Sequence, residues 1–191
     1  MANRKIISIL GAGAMGWGIA YILSVYQKAV VRVWDRDPRL ISEAKRTRQN
    51  LRHSDPAIML PEEVLLSDDL REMLNGVDLV LLAVPSFAVR EMCQKLAVFP
   101  SLPILMISKG MEKASSLLPF QIVKEVLGRR NILHLTGAGY GKEAHKKIPT
   151  TEVLASKNEG LLEEVRRLLE TDWLTIETST DLLGVQLAGA L

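Results

Sequence analysis

The sequence predicts a doubly wound α/β fold with a mostly parallel sheet. Short apolar runs recur along the 191 residues, and several are apolar throughout, as strands buried on both faces of a parallel sheet are. Segments with helical character separate these runs, so strands and helices alternate along the chain. A glycine-rich stretch joins the first apolar run to the first helical segment.

The predicted elements follow one another without a repeat, a low-complexity tract or a linker, so the chain is predicted as one domain. The predicted strands are Ile6–Leu10, Val30–Trp34, Leu79–Val84, Ile104–Ile107, Ile132–Leu135, Val153–Ala155 and Leu174–Ile176, with a further short strand at Val64–Leu66. The predicted helices are Ala14–Val25, Arg39–Leu51, Phe87–Leu96, Leu117–Leu127 and Glu159–Leu169. The last helix, within "EGLLEEVRRLLE", places its leucines and its valine on one face.

The composition argues against several classes of protein. The 24 basic and 22 acidic residues are scattered and give a formal net charge of +2, so nothing indicates nucleic-acid binding. No apolar run approaches the roughly 20 residues that a membrane helix needs, and a strand explains the start of the chain better than a signal peptide. Cys93 is the only cysteine, which suits a reducing cytoplasm. His, Asp and Glu lack metal-ligand spacing, so we expect no metal.

The glycine-rich stretch "GAGAMGWGIA" has the spacing of a dinucleotide-binding turn. Gly11 permits the tight turn, Gly13 lets a pyrophosphate approach the backbone, and Gly16 lets the helix pack on the strand. The helix N-terminus presents free N–H groups to phosphates. Asp35 ends the second strand, about 20 residues beyond the third glycine, where an acidic residue binds the adenosine ribose. The alternative is a glycine-rich turn without a ligand.

The residues after the second strand leave the choice between NAD and NADP open. Asp35 favours NAD, because a carboxylate accepts the ribose 2′-hydroxyl and repels a 2′-phosphate. Arg36 could instead bind a 2′-phosphate or stack on adenine, and it could equally be a solvated surface residue.

Several further motifs together resemble the NAD(P)-dependent glycerol-3-phosphate dehydrogenases. They are "VPS" at Val84–Ser86, "ISKGME" at Ile107–Glu112, "LTGAGYGKEAHKKIPTTEVLAS" at Leu135–Ser156 and the closing "DLLGVQLAGAL". Members of that family carry the glycine turn, V-P-S, a strand ending in S-K-G, a G-P-[ST]-F-A-K-E segment before P-T, and a D-x-x-G-V-[EQ]-L-[GA]-G-A-[LV]-K-N helix. The resemblance covers essentially all of this chain but only the N-terminal domain of the family.

The resemblance implies a Rossmann-type coenzyme-binding domain over residues 1–180. Residues 181–191 would open the helix that leads to a C-terminal helical substrate domain outside this chain. The implied reaction interconverts dihydroxyacetone phosphate and sn-glycerol 3-phosphate with NAD(P)H and supplies phospholipid precursors. The family's general-base lysine directly follows G-A-[LV], and here Gly189 to Leu191 end the sequence. We therefore expect the 191-residue polypeptide to bind coenzyme without appreciable turnover, and the oligomeric state is open, a homodimer being one candidate.

The resemblance also assigns roles to individual residues. Lys109 would contact the nicotinamide end of the coenzyme and the substrate, as a supporting catalytic residue. Ala14 and Met15 would line the coenzyme phosphates. Gly137 would lie at the substrate, and Gly141 would lie against the coenzyme.

The segment "GAGYGKE" departs from the family pattern. Gly139 stands where a Ser, Thr or Asn is expected, Ala138 where bacterial members usually have proline, and Gly141 where alanine is usual. Gly139 is retained as a predicted substrate-binding residue. Phosphate recognition there would rest on backbone N–H groups, which can form an anion-binding concavity.

Two other functions stay open. A non-catalytic nucleotide-binding module fits the short chain and the glycine at position 139. Another β-hydroxyacid or 3-hydroxyacyl-CoA dehydrogenase is the second alternative, although "HLTGA" from His134 lacks the asparagine and proline of the H-F-F-N-P motif. His134 is predicted to be structural because it lies within a strand, and His53 and His145 are predicted at the surface.

Overall fold

The structure, a computed structural model, describes residues 4–26, 28–99, 101–128, 131–137, 141 and 144–189. The strands are β1 (Ile6–Leu10), β2 (Val30–Trp34), β3 (Leu65–Ser67), β4 (Leu79–Leu82), β5 (Ile104–Met106), β6 (Ile132–Gly137), β7 (Thr150–Ser156) and β8 (Leu174–Ser179). The helices are α1 (Ala14–Val25), α2 (Pro38–Thr47), α3 (Leu70–Leu74), α4 (Val89–Leu96), α5 (Pro119–Leu127), α6 (Glu159–Leu169) and α7 (Leu182–Ala188). Short 3₁₀ turns cover Ser86–Ala88 and Ala144–Lys146.

The described strands form one eight-stranded sheet in the order β3-β2-β1-β4-β5-β6-β7-β8. Every neighbouring pair is parallel except β6 and β7, which run antiparallel. The prediction of a doubly wound, mostly parallel α/β fold is therefore confirmed. The chain leaves β1 in one direction to build β2 and β3 and in the other to build β4 and β5, so β1 and β4 flank the topological switch point.

Helices cover both faces of the sheet, which explains why several strands are apolar throughout. In β4, Leu79 and Leu81 enter the core that α1 and α6 cover, whereas Val80 and Leu82 enter the core beneath α4 and α5. Such a strand therefore adds side chains to two cores at once. Burying one of these side chains contributes roughly 1.5–3 kcal/mol to stability.

Several predicted boundaries were wrong, each for a local reason. The helix predicted over Arg39–Leu51 ends at Thr47, because Arg48 adopts a left-handed backbone with φ of 58°. The helix predicted from Leu117 starts at Pro119, a residue pre-organised for a first helical turn. The helix predicted from Phe87 starts at Val89 after the 3₁₀ turn, and the short α3 was not predicted.

Side chains cap four of the described α-helices at their N-termini. Asp37 accepts hydrogen bonds from two backbone N–H groups of α2, and Asp69 does the same for α3. Asn158 and Asp181 cap α6 and α7 with one bond each. α1, α4 and α5 have no side-chain cap, and the N-cap of α1 is Gly13. None of the helices that the structure describes is long and apolar enough to span a membrane.

Candidate functional site

A cavity of about 640 Å³ opens where β1, β2, β4 and β5 end. It lies at the switch point of the sheet, where doubly wound folds place their ligands. The glycine turn forms one wall, the residues after β2 form one end, and Lys109 after β5 forms the other. Val84 and Pro85 of the "VPS" motif line it from the end of β4.

The three glycines of the turn differ in the space around them. Gly11 has φ of +114°, and a Cβ there would lie 2.7 Å from the carbonyl oxygen of Ala83. A Cβ on Gly16 would collide with the carbonyl oxygen of Gly11. A Cβ on Gly13 would meet no atom within 4 Å, and Gly13 lines the cavity. Gly11 and Gly16 thus shape the turn, whereas Gly13 leaves room in front of it.

The start of α1 supplies unpaired hydrogen-bond donors to the cavity. The first N–H groups of a helix have no partner within the helix, and α1 has no side-chain cap and no acidic residue in its first turn. Gly13, Ala14 and Met15 all line the cavity. The positive end of the helix dipole adds to these donors, so this wall favours an anion.

Asp35 fastens the glycine turn to the end of β2. Its Oδ2 accepts the Ala12 N–H at 2.8 Å, and its Oδ1 accepts the Asp37 N–H at 3.0 Å. Asp35 also lines the cavity. Each carboxylate oxygen can accept more than one hydrogen bond, so Asp35 keeps acceptor capacity for a hydroxyl in the cavity.

Charged side chains of both signs line the cavity beyond Asp35. Glu91 on α4 forms an ion pair with Lys95 at 2.7 Å. The hydrogen bond from Lys95 lowers the pKa of the Glu91 carboxyl, and Arg36 adds a smaller Coulombic contribution. Arg36, Glu91 and Lys95 all contribute to the lining, so both cations already have a carboxylate nearby.

Lys109 lies at the opposite end of the cavity. Its ammonium donates to the carbonyl oxygen of Gly137 at 3.0 Å, which joins the ends of β5 and β6. The loop that carries Lys109 is anchored by Glu112, which accepts a bidentate hydrogen bond from Arg90 on α4. Hydrogen bonds from Arg90 and Ser115 lower the pKa of Glu112 to about 2.

Gly137 leaves no space for a side chain, because a Cβ there would collide with the carboxylate of Glu152. Glu152 lies opposite Gly137 in the β6–β7 register and is only 1% exposed. Glu152 is not among the predicted site residues. Its one signal is a charged residue directly before the apolar run Val153–Ala155.

Gly141 packs against the first turn of α1. A Cβ on Gly141 would lie 2.6 Å from the carbonyl oxygen of Ala14, and a Cβ on Gly18 would lie 2.6 Å from the carbonyl oxygen of Gly141. Both positions therefore need glycine for this close approach. Gly139, with Ala138 and Lys142, lies outside the described residues, so its predicted role stays a prediction.

The histidines occupy three different environments. His134 is buried in β6 and is not among the cavity residues, and burial lowers its pKa to about 4. The side chain of Gln186 on α7 hydrogen-bonds His134 Nδ1 at 3.0 Å and accepts the Phe120 N–H at 2.9 Å.

The other two histidines lie outside the strands. His145 is partly buried, and its Nε2 lies 3.9 Å from Oδ2 of Asp55. His53 is exposed as predicted but also lines the cavity, a position that the sequence did not indicate.

The sequence matches a known protein family. The family of NAD-dependent glycerol-3-phosphate dehydrogenase N-termini matches residues 6–162. This chain belongs to that family. The match agrees with the resemblance inferred from the sequence motifs and decides against the hydroxyacyl-CoA dehydrogenase alternative.

Individual relatives agree with the family match. Glycerol-3-phosphate dehydrogenase [NAD(P)+] from Ehrlichia chaffeensis is 34% identical over 189 residues, which is 96% of this chain and 57% of the relative. The Clostridium tetani enzyme of the same name is 30% identical and covers 98% of this chain and 54% of its own length. The crystal structure of glycerol-3-phosphate dehydrogenase from Coxiella burnetii is 28% identical, with a TM-score of 0.91 over 97% of this chain and 57% of that one. The chain thus spans little more than half the length of these relatives.

Proposed function

We propose that this chain is the coenzyme-binding part of a glycerol-3-phosphate dehydrogenase and that it binds NAD(H) or NADP(H) in the cavity. The observation that carries the proposal is the uncapped N-terminus of α1, which faces open space at Gly13. An Asp or Asn side chain caps α2, α3, α6 and α7, whereas α1, α4 and α5 have no side-chain cap, and of these three only α1 begins at the glycine turn. At α1 an anionic pyrophosphate would accept hydrogen bonds from the free N–H groups of the first turn, as the Asp and Asn caps do in those four helices.

The proposed placement uses the whole length of the cavity. The N–H groups of Gly13, Ala14 and Met15 would hold the pyrophosphate, with Gly11, Gly16 and Gly141 shaping the wall behind it. Asp35 would accept from the adenosine ribose, and Arg36 would lie beside its 2′ position. The nicotinamide would extend towards Lys109. A bound nicotinamide coenzyme supplies or accepts the hydride, and the protein orients it.

We further propose dihydroxyacetone phosphate and sn-glycerol 3-phosphate as the substrate pair. Lys109 would stabilise the negative charge that develops on the carbonyl oxygen during reduction. Gly137 and Gly139 would lie on the substrate side. In this proposal residues 1–180 bind coenzyme, residues 181–191 lead into a substrate domain, and the general base lies beyond Leu191. General acid–base catalysis is typically worth about 10²–10⁴-fold in rate.

The test has two steps on the purified 191-residue protein. Titration with NADH and NADPH, followed by coenzyme fluorescence, is expected to show saturable binding. Oxidation of either coenzyme with dihydroxyacetone phosphate is expected to be negligible. Turnover on the order of 1–10³ s⁻¹ would place the base within this chain, with Lys109 and Lys142 the first candidates.

A fusion protein can distinguish two possibilities: that this chain is the coenzyme-binding half of a dehydrogenase, or that it is a non-catalytic nucleotide-binding module. The variant continues this chain after Leu191 with the C-terminal part of the Ehrlichia chaffeensis relative. We expect the fusion to reduce dihydroxyacetone phosphate. A folded fusion that binds NADH and does not turn over would support the non-catalytic alternative.

The remaining proposals concern assembly and location. Leu183 and Leu187 lie one turn apart on α7 and are 48% and 40% exposed, so we propose that this face favours self-association. A homodimer is the proposed state, and light scattering on the parent and on Leu183→Glu tests it. The single cysteine, Cys93, supports a cytoplasmic location.

A further inference from the structure

The connection between α2 and β3 is a long loop that buried donors hold in place. Arg48 donates through Nε to the carbonyl oxygen of Leu60 at 3.2 Å and through Nη2 to that of Val64 at 2.8 Å. The indole Nε1 of Trp17 donates to the carbonyl oxygen of Ile58 at 3.1 Å, which ties the loop to α1. The loop residues 48–64 therefore have a defined position beside the glycine turn.

Asn50 extends from this loop into the glycine turn. It is 2% exposed, and its Nδ2 donates to the carbonyl oxygen of Ala12. Its Oδ1 accepts the N–H of His53 at 3.2 Å, and His53 lines the cavity. The carbonyl partner requires a donor and the N–H partner requires an acceptor, so these contacts fix the orientation of the amide. Both ends of a buried side chain thus act on the wall of the site.

The contact with Ala12 fixes the direction of a neighbouring N–H group. The peptide unit between Ala12 and Gly13 is planar and trans, so its C=O and N–H point in opposite directions. Because Asn50 holds the Ala12 oxygen on the buried side, the Gly13 N–H points away from Asn50. Asp35 holds the preceding peptide unit through the Ala12 N–H. Two side chains from distant segments therefore orient two successive peptide units of the turn.

We propose that Asn50 is a positioning residue for the coenzyme pyrophosphate, because it aims the Gly13 N–H into the cavity. The inference rests on the proposed coenzyme binding. It attributes part of the affinity for the coenzyme to the orientation of the Gly13 N–H by Asn50. Pre-oriented donors bind more tightly because the ligand does not have to order them. Without Asn50 the carbonyl oxygen of Ala12 loses its buried hydrogen-bond donor, and the Ala12–Gly13 peptide unit gains freedom to rotate.

The test compares Asn50→Ala and Asn50→Asp with Trp17→Phe. Asn50→Ala loses both side-chain hydrogen bonds and Asn50→Asp loses the donor to Ala12, whereas Trp17→Phe loses only the indole bond to Ile58 and leaves the glycine turn untouched. We expect NADH to bind about tenfold more weakly to the Asn50 variants, which corresponds to about 1.4 kcal/mol. We expect Trp17→Phe to bind NADH as the parent does while unfolding at a lower denaturant concentration. Asn50 variants that are folded and bind NADH like the parent would overturn the inference.

Two further measurements separate possible causes. Adenosine lacks the pyrophosphate, so its affinity is expected to be the same for parent and Asn50→Ala, and an equal loss for adenosine and NADH would contradict a role at the pyrophosphate. If both Asn50 variants fail to fold, titration of the parent with inorganic pyrophosphate decides, with the amide resonance of Gly13 followed by NMR. A shift supports the inference and an unmoved resonance contradicts it. Failure of the parent to bind NADH would instead refute the proposed function.

Discussion

The two ends of the cavity are built on different principles. At the glycine end backbone N–H groups of the turn face the cavity, and two side chains from separate segments, the half-buried Asp35 and the buried Asn50, hold that backbone in place. At the lysine end the functional group is a side chain, Lys109, which is exposed and contacts one carbonyl oxygen. Its loop is anchored by an ion pair that is partly exposed.

Each end of the cavity is therefore suited to a different function within this chain. Backbone donors that the fold holds in place bind an anion without further ordering, so the glycine end is ready to bind. A single exposed ammonium group can stabilise negative charge on the substrate oxygen, but by itself it neither orients the substrate nor excludes water. Coenzyme affinity should therefore depend on the glycine end, and turnover should need groups beyond those at the lysine end.

The largest effect is expected from Gly16→Ala, which tests the architecture of the glycine end. The new Cβ would collide with the carbonyl oxygen of Gly11, and relieving such an overlap costs about 1–3 kcal/mol or more. Gly160→Ala, in the first turn of α6, is the matched control, since the nearest atom to its Cβ would be Asn158 Oδ1 at 3.7 Å, and it should stabilise by about 0.5–1 kcal/mol. Urea unfolding of both variants checks the prediction, and equal midpoints would contradict it.

Acidification is expected to lower the free energy of unfolding through His134 in β6. Burial lowers the pKa of His134 in the folded protein to about 4, from an ordinary value of 6.5. Between these values the unfolded chain binds the proton and the folded chain does not, so stability falls as the pH drops from 6.5 to about 4. The full loss is roughly 3 kcal/mol.

Urea unfolding measured across this pH range tests the role of His134. His53→Gln is the control, because His53 is exposed and its removal should leave the pH dependence unchanged. His134→Gln should flatten the curve between pH 6.5 and 4. A His134 variant with the same pH dependence as the parent would show that another group causes it.

A smaller change, in coenzyme choice, is expected from Asp35→Gly. Loss of the carboxylate removes the ribose acceptor and the repulsion of a 2′-phosphate, and it leaves Arg36 available. We expect the ratio of NADH to NADPH affinity to shift towards NADPH by about tenfold, while loss of the Ala12 contact weakens both. Asp69→Asn, at the capped start of α3, is the control. A strong NADPH preference in the parent would show that Asp35 does not set the choice.

The smallest effect on binding is expected from Lys109→Gln. If affinity depends mainly on the glycine end, loss of this ammonium should weaken NADH binding only about two- to threefold, within the range of one exposed charged contact. Calorimetric titration of parent and variant measures the ratio. A loss as large as that of the Asn50 variants would remove the distinction between the two ends.

The sequence predicted those parts of the site that have a local signature. The glycine spacing, the strand before it and Asp35 after the second strand all follow from short-range pattern, as do most strands and helices. Arg48 and Asn50 were predicted within the helix Arg39–Leu51, but they lie in the loop that follows Thr47, and no local pattern distinguishes their buried side chains from solvated ones. The reversed direction of β7 also has no local signal, because an apolar run reads the same in a parallel and an antiparallel pair.

Titration of NADH into the parent and into Gly13→Val tests whether the coenzyme pyrophosphate binds at the glycine turn. The Val side chain has open space at this position, so the variant should fold, and circular dichroism with urea unfolding verifies this. Its branched carbons would occupy the space proposed for the pyrophosphate. We expect saturable NADH binding to the parent and no binding to the folded variant. Equal NADH affinity in the two proteins would contradict this expectation.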